Sequence, residues 1–276
     1  MTVRLATLLA AALWVSGCST TSTTTTSSGE TTTTTSSAAP SRDRITSSDE
    51  GDGAKRARVR LELAGAYFER GQATTALDEV KLAIAADPTL GAAYNLRGLI
   101  YASLGDERLA EESFRRAIVL DPRDGGAMHN FGWYLCQQKR YQEANAEFAR
   151  AMAAPNYRGT VRTLLAQGVC FAYAGELTDA EKALQRSYEL DPSNPSTAVN
   201  LSEVLYRRGD YARARFYVAR VNSNRNLASA QTLWLALRIE NKLGNKDGQQ
   251  EFGNQLRDRF GDSREAALLE RGAFDE

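Results

Sequence analysis

Residues 87–122 read DPTLGAAYNLRGLIYASLGDERLAEESFRRAIVLDP, a stretch that opens and closes on Asp-Pro. Pro88 and Pro122 stand 34 residues apart, and a third pair, Asp191-Pro192, follows later. Between the first two, Tyr94, Gly98 and Tyr101 fall at helical spacing, then Gly105 interrupts, then Ala110, Phe114 and Ala117 resume it. That is the pattern of two amphipathic helices joined at a glycine. The residue before proline is driven out of the helical region, so each Asp-Pro closes the second helix. Small residues let the two helices approach, and large ones opposite fill the space.

Working outward, the same phase recurs. The first unit starts near Ala57 and carries Leu63, Ala64, Tyr67, Gly71, Ala76, Val80 and Ala83. The third has Met128, Phe131, Gly132, Leu135, Ala144, Phe148 and Ala151, and ends at Pro155-Asn156. The fourth has Leu164, Gly168, Phe171, Gly175, Ala180 and Leu184, displaced by two residues inserted near Gly159-Thr160. A fifth runs through Leu201, Leu205, Gly209, Ala214 and Val218, and a weaker sixth through Trp234, Leu237, Gly244 and Leu256. No single unit hides its apolar face alone, so the units must stack. A period of about 34 residues built from helix pairs is that of the tetratricopeptide repeat. Residues 54–260 are therefore expected to form an all-α tetratricopeptide-repeat solenoid of five to six repeats, wound as a right-handed superhelix. The tail, residues 261–276, is expected to hold one short helix around Glu265 to Leu269.

The N-terminus differs in kind. Arg4 precedes an apolar run from Leu5 to Leu13, too short to span a bilayer, for which about 20 residues are needed. It reads as a signal peptide over residues 1–17. Trp14-Val15-Ser16-Gly17-Cys18 resembles a lipobox, which implies that Cys18 is lipidated. Ser19 after it, rather than aspartate, implies sorting to the outer membrane. Residues 18–53 are rich in Thr and Ser and poor in branched or aromatic groups, so they are expected to be a disordered tether of about 30 Å.

Composition excludes several functions. Lys plus Arg and Asp plus Glu number 34 each, a balance without the basic excess of a nucleic-acid binder. The chain has one histidine, His129, and three separated cysteines, which leaves no zinc-ligand spacing. There is no nucleophile motif and no phosphate loop. The expectation is a binding protein, not an enzyme, with no metal and no cofactor. A helix-repeat surface offers one natural binding face, the concave one. His129 and Trp133 fall at its expected places in the third unit, with Asn95, Leu99 and Gln137 at comparable places. For Trp133 a core position is the competing reading.

Cys136 and Cys170 lie in the first helices of adjacent units. They are either a disulfide or two buried thiols. Pairing is favoured because one pair remains after lipidation of Cys18 and the periplasm is oxidising.

Two segments narrow the family. His129-Asn130-Phe131-Gly132-Trp133-Tyr134-Leu135-Cys136-Gln137-Gln138 with Arg140-Tyr141, and Ser229-Ala230-Gln231-Thr232-Leu233-Trp234-Leu235-Ala236, resemble the PilF/PilW family, type IV pilus biogenesis lipoproteins of Gram-negative bacteria. The resemblance implies a pilotin on the periplasmic side of the outer membrane. Its partner would be the pilus secretin subunit, whose localisation and multimerisation it promotes. A generic periplasmic adaptor in envelope assembly is the alternative.

Overall fold

The computed structural model describes residues 51–274. Those residues form thirteen helices and no strand. Six antiparallel pairs come first: α1 (Asp52–Glu69) with α2 (Ala73–Ala86), α3 (Gly91–Leu104) with α4 (Glu107–Leu120), and α5 (Gly125–Gln137) with α6 (Tyr141–Ala153). Then follow α7 (Thr160–Ala174) with α8 (Leu177–Leu190), α9 (Pro195–Arg207) with α10 (Tyr211–Asn222), and α11 (Ala230–Lys242) with α12 (Lys246–Phe260). A last short helix, α13 (Arg264–Glu270), closes the chain. The sixth unit, weak in sequence, is a complete helix pair.

The repeated residues act as their spacing implies. Asp87, Asp121 and Asp191, each before a proline, leave helical geometry at φ −143°, −133° and −144°. A side chain on Gly132 would place its Cβ 2.9 Å from the Phe148 ring, so only glycine lets α5 and α6 close to this distance. In the fifth unit Ser202 stands at the matching place, and its hydroxyl donates to the Ala214 carbonyl at 2.8 Å. Several helix starts are capped locally: Asp106, Asp124 and Asn194 accept from backbone N–H groups three residues on, and Ser229 with Thr232 forms a full capping box.

Each helix packs on the next. The first helices of successive pairs, α1, α3, α5, α7, α9 and α11, also pack side by side with close backbones, whereas the second helices stand farther apart and meet only through long side chains, as Arg213 of α10 does with Glu181 of α8 at 2.7 Å. The first helices therefore line one continuous face.

Two features depart from the sequence reading. Turns after the first helices use a left-handed residue, and five are glycines at φ 70–82°. In the third unit that place is held by Lys139 at φ 60°. A side chain in this region costs about 1–2 kcal/mol, of which glycine's extra unfolded freedom offsets about half. Lys139→Gly should therefore raise stability by about 0.5–1 kcal/mol, a shift of two or three degrees in a thermal melt. An unchanged or lower melting temperature would show that the turn is unstrained.

The second departure is at the C-terminus. Packing does not stop at the expected boundary of 260. Ala266 and Leu268 are buried against Leu233, Leu237 and Leu256, and the Phe274 ring stacks on Trp234 at 5.5 Å. Residues 261–274 belong to the solenoid as its end cap, as a stack of repeats requires where no neighbour follows. At the other end α1 begins at Asp52, two residues before the expected start. The signal peptide, Cys18 and nearly all of the tether lie outside the described residues.

Candidate functional site: a pocket on the face of the first helices

An open pocket of about 420 Å³ lies where α5, α7 and α9 meet. Its walls are Trp133 and His129 from α5, Arg162, Leu165, Ala166, Val169 and Tyr173 from α7, and Asn200 from α9. The lining is mostly apolar and contains no carboxylate. Tyr173 is 64% exposed, so its ring is open to contact at the rim of the pocket.

The structure separates the five residues that the sequence placed on a binding face. Trp133 is half-buried: it packs on the core around α3 to α6 and also lines the pocket. His129 lines the pocket but is only 7% exposed, and its Nδ1 pairs with Thr163 Oγ1 at 2.9 Å. Thr163 is in turn paired with the Tyr157 hydroxyl at 2.6 Å. His129 is thus a tie between α5 and α7. Asn95 accepts from Asn130 Nδ2 at 3.2 Å, joining α3 to α5, and Leu99 packs into the same core. Gln137 is exposed at the end of α5, outside the pocket.

The residues missed are those of α7. Leu165, Val169 and Tyr173 stand 36 residues after His129, Trp133 and Gln137, one repeat plus the two inserted residues. The signal was present in the register, and following it through the insertion leads to them.

Cys136 and Cys170 are joined in a disulfide, with Cα atoms 5.8 Å apart and side chains out of solvent. The bridge ties α5 to α7, one turn from Trp133 on α5 and next to Val169 on α7. It holds the two helices that form most of the pocket.

Burial, and secondarily the positive charge of Arg162, pushes His129 down to about 4. It is neutral at pH 7 and adds no cation to the pocket. In the unfolded chain it titrates near 6.5, so between pH 6.5 and 4 the unfolded state binds the extra proton. Its contribution is complete above pH 6.5 and is lost on acidification, by up to about 3 kcal/mol at pH 4. Urea melts at pH 7 and 4.5 should show that loss in the wild type and a smaller one in His129→Gln. Equal losses would mean that other groups carry the acid sensitivity.

Comparison with known proteins follows the same lines. Tetratricopeptide-repeat family models match residues 91–124, 129–195 and 171–233. Type IV pilus assembly protein PilF of Pseudomonas aeruginosa is 26% identical over 257 residues, covering 93% of this chain and 94% of that protein. The crystal structure of PilW, described as a widely conserved type IV pilus biogenesis factor, superposes with a TM-score of 0.72 at 29% identity. It covers 77% of this chain and 97% of PilW. The chain is a tetratricopeptide-repeat protein of the PilF/PilW type. The structure of Pseudomonas aeruginosa PilF, at TM-score 0.69 and 23% identity, shares the fold over 80% of this chain and all of the other.

As a PilF/PilW-type protein it is an interaction scaffold rather than an enzyme. Among the described residues no group of three or more His, Cys, Asp or Glu side chains could hold a metal ion. No helix among them is long and apolar enough to cross a membrane. The chemistry available at the pocket is contact: an apolar floor, the aromatic side chains of Trp133 and Tyr173, and one cation.

Proposed function

We propose that this protein serves type IV pilus biogenesis as an outer-membrane lipoprotein. It binds the secretin subunit on the periplasmic side and promotes its localisation and multimerisation. The observation that carries the reading is the likeness to a pilus assembly protein along nearly the whole of both chains. Two further features support it. The first helices present an apolar pocket with an exposed aromatic, and the sequence before Cys18 resembles a lipobox.

The mechanism is physical. The lipid on Cys18 fixes the chain to the membrane, and the tether, residues 18–53, lets the solenoid search near it. A secretin segment bound at the pocket is then held at high effective concentration beside other subunits, which favours assembly without any covalent step. Stable anchoring follows from several acyl chains on one residue, at about 0.8 kcal/mol per buried CH₂.

The test combines deletion with a point variant. Deletion should remove secretin multimers from the outer-membrane fraction and abolish twitching, and the wild-type gene should restore both. Trp133→Ala should weaken binding to the purified secretin by about 2 kcal/mol, roughly thirtyfold, with helical content kept. Normal multimers and motility after deletion would refute the secretin role. A lowered melting temperature with unchanged affinity would leave Trp133 as a core residue alone.

A further inference from the structure

Arg162 stands in the pocket without an acidic partner. Elsewhere in the solenoid, arginines commonly meet a carboxylate: Arg115 and Arg140 meet Glu111, Arg208 and Arg213 meet Glu181, and Arg257 meets Glu270. Arg162 is exposed, makes no ion pair among the described residues, and no Asp or Glu lines the pocket around it. Its charge nevertheless reaches inward, since it acts on the buried His129 ring. His129 is neutral, so Arg162 is the single cation of the lining. Beside it lie Trp133, Leu165, Val169 and Tyr173, an apolar surface of a size that takes a few side chains rather than a folded domain.

We propose that this pocket selects a protein segment in which an aromatic or aliphatic side chain is flanked by a carboxylate. The apolar group seats between Trp133 and Val169, and the carboxylate pairs with Arg162. This deepens the groove reading above and rests on the pocket being the binding site. Apolar contact supplies the affinity, and the arginine supplies the choice, because a segment with a cation at that place meets like charge. Guanidinium suits the role: it is always charged and can hold a carboxylate through two parallel hydrogen bonds.

The experiment uses the full chain in detergent and three fluorescein-labelled peptides of one length. Each carries a central Leu-Phe pair, flanked by glutamates, glutamines or lysines. The acidic peptide should bind most tightly, by about tenfold over its lysine twin, and the advantage should shrink with added salt. Arg162→Glu, a change at an exposed position, should reverse the order while circular dichroism stays unchanged. Trp133→Ala should weaken all three alike. Equal affinities for the three peptides, absence of binding by all of them, or an order unchanged in Arg162→Glu would overturn the proposal.

Purified secretin is titrated against the same variants. Secretin that binds the wild type and Arg162→Glu equally would leave the secretin role standing and sink this inference. Acidic-peptide binding that depends on Arg162, without secretin binding, would do the reverse.

Discussion

Ending the chain at Phe260 should lower the melting temperature of the C-terminal repeats by about 10–20 °C and make the protein prone to aggregate. The cut removes α13 and the segment to Phe274. Ala266 and Leu268 are 3% and 4% exposed, and Leu233, Leu237 and Leu256 beneath them are at 0–1%. Burying a leucine or phenylalanine contributes about 1.5–3 kcal/mol each, and the cut removes Leu268 and Phe274 while uncovering what they cover. It also removes the Phe274–Trp234 stack and the hydrogen bond from Arg238 Nε to the Phe274 carbonyl at 3.1 Å. Together these amount to about 5 kcal/mol, and in a domain of this size each kcal/mol moves the melt by about 2–4 °C. Contacts in a solenoid are with neighbours only, so the loss falls first on α11 and α12. Thermal melts of chains ending at 260 and 276 decide it. Identical melts would show that the end cap is ornamental. Leu268→Ala, which removes one anchor and leaves the rest, should cost about 2–4 kcal/mol.

The second large effect concerns the Cys136–Cys170 bridge. It closes a loop of 34 residues, and in the chain-entropy model such a closure stabilises by about 4 kcal/mol, mainly by restricting the unfolded chain. Replacing both cysteines by alanine should therefore lower stability by about that amount. Alanine introduces no buried polar group, though it also removes two packed sulfur atoms, so the reductant experiment is what isolates the bridge. Adding a thiol reductant to the unfolded and refolded wild type should give the same loss, and adding it to the double variant should give none. Thiol titration of the denatured, unreduced domain lacking Cys18 provides the sharper criterion. Two free thiols per chain would mean that the bridge does not form in the protein as made.

The fold was legible because its determinants are local and repeated. The Asp-Pro stops, the turn glycines and the small residues at helix contacts each act within one unit, and repetition multiplies a weak signal. Lys139 escaped that reading, since a lysine in a left-handed turn carries no mark of it, and only the count of the repeat points there. The end cap escaped for the opposite reason. Residues 264–274 match no repeat, and their role follows from the face that the sixth unit leaves bare.

The candidate binding face was legible only in part. Register assigns a residue to a face, and that placed Trp133. It does not say which polar side chains have found partners. His129 and Asn95 sit at the right helical places yet are bonded to Thr163 and Asn130 across the neighbouring helix. Those partners lie 34 and 35 residues away and belong to other units. Arg162 shows the converse, a charge made available because nothing acidic came within reach.

The bridge between α5 and α7 has a mechanical consequence. Pulled from its two ends, a solenoid unravels helix by helix, and each freed residue adds about 3.5 Å of contour. The 34 residues enclosed by Cys136 and Cys170 are withheld from that extension, because tension crosses the 5.8 Å between their Cα atoms instead. The stretched molecule is therefore shorter by about 110 Å, and load passes through its middle by a covalent path that no helix contact has to bear.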